Sequence, residues 1–200
     1  MIALEIFDCE QNSPEWYAAR RGVPTASSFK DVLAKGEGKT RKKLLYTLAG
    51  QALATEQPEA WSNAHTDRGH AMEGEACSLY ALLHDADPQK VGFMRRGRIG
   101  TSPDRLIRQD GMLEIKSRLP YLQIELLEAD RVPPEHKAQL QGQLLVSGRE
   151  WVDFASYWPG LPMFVERVYR DEQYIANLES ELATFVEELD YLIAKWGVKP

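Results

Sequence analysis

The stretch GTSPDRLIRQDGMLEIKS, residues 100–117, sets Asp104, Glu114 and Lys116 among apolar neighbours. Side chains alternate faces along a strand, so Glu114 and Lys116 share one face while Leu113 and Ile115 take the other. If Pro103–Ile107 and Met112–Lys116 pair across the turn at Arg108–Gly111, Asp104 approaches Glu114. Two carboxylates that close repel each other and are expensive to desolvate. A divalent cation relieves both problems, and Mg²⁺ takes one or two carboxylates while keeping places for water and phosphate. Such an ion polarises a phosphoryl oxygen and acidifies a bound water. The ammonium of Lys116 has no lone pair to offer a cation. Its chemistry is to orient or deprotonate that water, or to balance charge on phosphorus. Phosphodiester hydrolysis uses all three groups at once. A Glu–Lys pair on a water-facing hairpin has the same spacing, and these residues alone do not choose between the two.

Other elements must hold this hairpin. NSPEWYAARRG offers Ser13 as an N-cap, Pro14 at the first helical position and Gly22 as a stop. In PTASSFKDVLAKGEG, Thr25 or Ser27 caps a second short helix closed by Gly36 and Gly38. TRKKLLYTLAGQALA reads as a third helix, and Met72, Ala76, Leu79 and Leu83 recur at helical spacing in a fourth. Short strands joined by glycine turns follow in KVGFMRRGRIGTSPDRLI and GMLEIKS. PPEHKAQLQGQLLVSG returns to helix, begun by proline and ended by Gly148. It puts His136, Gln139 and Gln143 on one face and Leu140 and Leu144 on another. An uncharged amide face is unusual on a helix bathed in water. WVDFASYW and MFVERVYR read as strands, with Trp151 and Trp158 as core residues. Ile175, Leu178, Leu182, Phe185, Leu189, Leu192 and Trp196 mark a long amphipathic C-terminal helix ended by Gly197. The pattern predicts one α+β domain over residues 1–200, a central mixed sheet flanked by helices.

Bulk properties narrow the setting. No run approaches the ~18 apolar residues of a membrane span, and the first residues lack the basic-then-apolar order of a signal peptide. Cys9 and Cys77 form no metal-finger spacing, which suits a reducing cytoplasm. His65, His70 and His84 form no ligand set with them, which argues against zinc. A nucleic-acid binder needs a basic face, and with a net charge of −6 that face has to be local. KTRKK (residues 39–43) and RRGR (residues 95–98) are the candidates, a solvated charge run being the alternative for the first.

Five separated stretches decide more. WYAARRGVPTAS, RGHAMEGEA, GTSPDRLI with GMLEIKS, HKAQLQGQ and WVDFASYWP resemble, in order, the lambda-exonuclease-like viral recombinase family of the PD-(D/E)xK nuclease superfamily. The resemblance implies a restriction-endonuclease-like core. It implies that Asp104, Glu114 and the main-chain carbonyl of Ile115 hold Mg²⁺, with Mn²⁺ as a possible substitute, and that Lys116 serves the attacking water. A helix glutamate of the acidic cluster falls on Glu73; periodicity by itself does not separate it from Glu75. Gln139 matches an active-site glutamine, and the chain departs from the family at His136, where tyrosine is frequent. Arg20, Ser27 and Ser102 match a pocket for a 5′-phosphate, although a helix cap and a solvated arginine would also explain the first two.

The resemblance therefore implies a 5′→3′ exonuclease on linear double-stranded DNA that releases mononucleotides and leaves a 3′ single strand for recombination. It also implies a homotrimeric ring, a single-strand annealing protein as partner, and a bacterial cytoplasm of phage or prophage origin. An endonuclease cousin would cut closed circles, and a silent binding protein would hold DNA ends without cutting. An iron–sulfur cousin needs four cysteines; this chain has two.

Overall fold

A computed structural model describes residues 2–34, 39–55 and 64–197, with backbone alone for 64–71. The first half comprises β1 (Leu4–Phe7), α1 (Pro14–Arg20), a 3-10 turn at Ala26–Ser28 running into α2 (Phe29–Val32), α3 (Lys39–Leu53) and α4 (Ala64–His84). Five short strands follow: β2 (Pro88–Gln89), β3 (Phe93–Arg96), β4 (Ile99–Thr101), β5 (Arg105–Ile107) and β6 (Gly111–Ser117). Then come α5 (Pro120–Ala129), a 3-10 turn at Pro134–His136, α6 (Lys137–Ser147), β7 (Trp151–Tyr157), β8 (Phe164–Tyr169) and α7 (Glu172–Trp196).

Local chemistry explains the ends. The Ser13 hydroxyl accepts from Trp16 N–H with Pro14 at the first helical position, and Gly22 turns the chain away at φ +67°. Thr25 and Ser28 form a reciprocal capping box around the 3-10 turn. Thr25, rather than Ser27, is thus the cap; Gly36 and Gly38 lie outside the described residues. The Asp171 carboxylate accepts from Tyr174 N–H to open α7.

Two sheets result, a five-stranded one in the order β2-β5-β6-β7-β8 and a three-stranded one in the order β1-β3-β4. β6 and β7 pair in parallel and the other neighbours are antiparallel, the expected mixed arrangement. α5 and α6 form the crossover between the two parallel strands, which are buried along most of their length. On one face of the large sheet Leu113, Ile115 and Ala155 pack with Ala76 and Tyr80 of α4. On the other, Met112, Val152 and Phe154 pack with Leu126, Leu140 and Leu144 of α5 and α6. A third cluster joins α2, α3 and the apolar stripe of α7.

Three readings change. The turn before β6 has its left-handed residue at Arg108, φ +50°. Gly111 instead makes room for the Trp151 ring, which a Cβ there would meet at 2.1 Å. Helix α5 was not foreseen; Gln123 pins it to the sheet by donating to Ser156 and Pro162 carbonyls at 3.1 and 2.9 Å. The RRGR arginines are engaged by neighbours instead of presenting uncompensated charge, two of them in ion pairs at the surface. Arg95 pairs with Glu5, Arg98 with Asp190, and Arg96 donates to the Val146 carbonyl near the end of α6. In KTRKK, Arg41 forks onto Glu188, while Lys39, Lys42 and Lys43 are exposed.

Candidate active site

The hairpin register places Arg105 opposite Leu113, so Asp104 comes opposite Glu114 one step further along. Asp104 Oδ2 accepts from Ile115 N–H at 2.6 Å. A strand residue's N–H and C=O point to the same edge, so the Ile115 carbonyl faces the Asp104 side, past the end of β5. Glu114 and Lys116 share the opposite-α4 face, and Lys116 Nζ donates to Glu114 Oε1 at 2.5 Å. The Glu114 side chain is 4% exposed and that of Lys116 30%, so the ammonium reaches open space while the carboxylate does not.

The amide face of α6 lies over this pair. Gln139 Nε2 donates to Glu114 Oε1 and Gln143 Nε2 to Glu114 Oε2, each at 2.6 Å. Among the described residues, Gln143 Oε1 is buried without a hydrogen-bond partner. Sequence reasoning saw Gln143 on the right face but gave it no role; its signal was the i+4 spacing from Gln139.

Electrostatics explains why this cluster is unusual. Burial first, and then Glu114, push the Asp104 carboxyl well above its ordinary range, with Lys116 opposing them. Burial alone would lower Lys116, but Glu114 and then Asp104 outweigh it and hold the amine protonated above its usual value. Among the described residues no three His, Cys, Asp or Glu side chains lie close enough to hold an ion by themselves. Two opposed carboxylates in excess of their cation, beside an outward carbonyl, nevertheless form an all-oxygen donor set that fits a hard divalent ion.

Glu73 and Glu75 part company here. Arg105 Nη1 donates to Glu73 Oε1 at 2.6 Å and also to the Asp104 carbonyl, which ties Glu73 to the acidic segment. Glu75 instead accepts from the Tyr157 hydroxyl. A cleft of about 610 Å³ adjoins Asp104 and Glu73, walled on its far side by Asp8–Asn12. Gln11 staples that wall to the carbonyls of Val91 and Pro103 at 3.0 and 3.1 Å.

Two residues before Asp104, Ser102 belongs to a second cluster. Its Oγ accepts from Trp16 Nε1 at 2.9 Å and from Arg20 Nη1 at 3.1 Å. Both hydroxyl lone pairs are then taken, leaving its O–H to donate. The Arg20 guanidinium lies 4.0 Å from the Trp16 ring centroid and 3.5 Å from Thr25 Oγ1, which touches Ser27 Oγ at 3.3 Å. Burial pushes the Arg20 pKa down to about 10. Among the described residues no carboxylate pairs with it. A desolvated guanidinium beside hydroxyl donors is a site for an anion.

His136 packs its ring on Phe154, centroids 4.9 Å apart, with Nε2 2.8 Å from Arg118 Nη2. Burial, then Lys116 and Arg118, hold its pKa down to about 4. The unfolded chain therefore takes up a proton near pH 6.5 that the folded chain refuses, so stability falls as pH drops from 6.5 towards 4. A His136→Gln variant is expected to flatten this loss, whose limiting slope is about 1.4 kcal/mol per pH unit. Denaturant melts between pH 4.5 and 7.5 measure it; parallel curves for parent and variant would refute the assignment.

Comparisons with known proteins give the chain a family and a fold. Residues 15–150 match the YqaJ-like viral recombinase domain. The chain belongs to that family. This is the lambda-exonuclease-like recombinase family that the sequence motifs resemble. The recombinase chain is 34% identical to LHK-Exo in its crystal structure with dAMP, TM-score 0.84, covering 92% of this chain and 95% of that one. A second crystal structure, of the alkaline exonuclease LHK-Exo from Laribacter hongkongensis, gives 32% identity and TM-score 0.83 over the same shares. A phage-related exonuclease from Haemophilus somnus shares the fold at 15% identity and TM-score 0.65, covering 86% of this chain and 96% of that one. No curated protein matches the recombinase chain. Among its described residues no helix is long and apolar enough to cross a membrane.

Proposed function

We propose that residues 1–200 act as one nuclease domain, a Mg²⁺-dependent exodeoxyribonuclease that degrades the 5′-ended strand of linear double-stranded DNA. It releases 5′-mononucleotides in the 5′→3′ direction and leaves a 3′ single strand for annealing recombination. The similarity to LHK-Exo, an alkaline exonuclease by name, supports the activity class.

One observation carries the finer reading: the anion cluster and the carboxylate pair share the segment Ser102-Pro103-Asp104. Two residues of extended chain span ~6–7 Å, about the reach of one nucleotide. A terminal phosphate held by Arg20, Ser102 and Ser27 would thus present the next phosphodiester to Asp104 and Glu114. When bound there, Mg²⁺ (or Mn²⁺) polarises the phosphoryl oxygen and acidifies a water. Asp104, Glu114 and the Ile115 carbonyl would hold it. Gln139 and Gln143 keep Glu114 oriented, and the Lys116 ammonium orients the water and balances charge on phosphorus. Arg105 and Glu73 hold the Asp104 segment in place.

The family resemblance extends the reading to a homotrimer around DNA, a single-strand annealing protein as partner, and a bacterial cytoplasm of phage or prophage origin. A ring needs basic residues only on its channel, so a net charge of −6 is compatible with it.

The test incubates the protein and Mg²⁺ with a 5′-phosphorylated linear duplex and a covalently closed circle. Loss of the linear strand from its 5′ end with the circle intact is expected; cutting of the circle would indicate an endonuclease. Arg20→Ala is expected to reduce the preference for 5′-phosphoryl over 5′-hydroxyl ends roughly 10- to 100-fold, the worth of charge-assisted hydrogen bonds. An unchanged ratio in competition digests would remove Arg20 from the pocket.

A further inference from the structure

Two matched rows face each other beside this site. Glu114, Lys116 and Arg118 alternate along β6 and its continuation, while His136, Gln139 and Gln143 run along α6 and the turn before it. Glu114 takes Gln139 and Gln143, and Arg118 takes His136. Four strand residues span ~13 Å and seven helical residues ~10 Å, so the rows stay in step. Arg118 therefore sits beyond Lys116, away from the carboxylate pair along the strand.

The way Arg118 is held is informative. A guanidinium only donates, so His136 Nε2 accepts at 2.8 Å and the ring is neutral with its proton on Nδ1. Phe154 supports the ring from behind. Among the described residues, the carboxylate paired with Arg118 is Glu135, at 3.4 Å and 57% exposed. A pair that open to water offsets little charge. The Arg118 side chain is itself only 16% exposed. A carboxylate at position 136 would aim the guanidinium equally well but cancel its charge. A neutral acceptor aims it and leaves the charge available to an anion.

We propose that Arg118, aimed by His136, grips a backbone phosphate of the scissile strand next to the one being cut. This rests on the DNA reading above. It makes Arg118 a substrate-positioning residue and gives His136 the role of directing it.

The test measures binding of the 5′-phosphorylated duplex to Lys116→Ala protein, expected to hold substrate without turnover, as a function of salt. Adding Arg118→Gln should weaken binding about tenfold at low salt and lower the slope of log K against log[salt] by about 0.7–0.9, the contribution of one phosphate. His136→Glu should do the same with arginine still present, yet change binding less than twofold once Arg118→Gln is in place. His136→Gln keeps a neutral acceptor and should bind within threefold of the parent. If Arg118→Gln does not fold, Arg118→Lys should keep the slope that His136→Glu loses. An unchanged slope in Arg118→Gln, or equal weakening by His136→Glu with and without Arg118, overturns the proposal. Absence of DNA binding by the Lys116→Ala parent at every salt would overturn the DNA reading and this proposal with it.

Discussion

Lys116→Ala is expected to abolish hydrolysis while leaving the DNA end bound. The ammonium lies on the face shared with Glu114, 2.5 Å from Oε1 and partly open to the site. Removing a positioned general acid or base costs about 10²–10⁴-fold, and losing charge compensation at phosphorus adds to that. A loss of at least ~10³-fold in single-turnover release of labelled 5′ nucleotide is therefore expected. On the proposed reading the end is held by Arg20 and Ser102, which bond each other and not Lys116. The fold should survive. Breaking a buried ion pair ordinarily costs about 3–5 kcal/mol, but Gln139 and Gln143 still donate to both Glu114 oxygens. Lys116→Arg should not rescue activity, because a planar, delocalised guanidinium does not reproduce the compact ammonium point charge held beside Glu114. Retention of a tenth of parental activity by Lys116→Ala would remove the lysine from the chemistry.

Asp104→Asn separates the cation from the fold. Activity should fall at least ~10³-fold, as expected when a Lewis-acid ion loses a ligand at a site it is needed to activate. Stability should move the other way in metal-free buffer. Burial and Glu114 raise the Asp104 carboxyl, so the folded state binds its proton more tightly than the unfolded state does. Parental stability therefore declines as pH rises through and above the ordinary carboxylate value, and asparagine removes that decline. Its amide oxygen still accepts from Ile115 N–H. The variant should match the parent below pH 4 and melt several degrees higher at pH 7, where about 1 kcal/mol corresponds to ~2–4 °C for a chain of this size. Adding Mg²⁺ should raise the parent's Tm and leave the variant's unchanged, since a ligand stabilises only a state that binds it. A parent indifferent to Mg²⁺, or a variant less stable without it, would refute the carboxylate pair as a cation site.

How much of this was legible beforehand depends on range. The Asp104–Glu114 opposition could be read because alternation and a short turn are properties of neighbouring residues. The helix caps at Ser13 and the ending of α6 at Gly148 are local in the same sense. The amide face of α6 was visible as a pattern, yet its target, Glu114, lies 25 and 29 residues away. Helix α5 was overlooked because Pro120 at its start was not matched by a glycine at its end; Asp130 adopts the left-handed conformation there instead.

By itself, then, the sequence determined the strand period that puts Glu114 and Lys116 on one face, the helix ends marked by Ser13 and Gly148, and the family motifs. Tertiary structure decided the partners. It gave Glu73 to Arg105 and Glu75 to Tyr157, paired Arg95 with Glu5 and Arg98 with Asp190, left Arg20 without a carboxylate among the described residues, and set His136 under Arg118. The physical reason is that a side chain's direction follows from the backbone at its own position, whereas its charge state and partner follow from what packing brings beside it from tens of residues away.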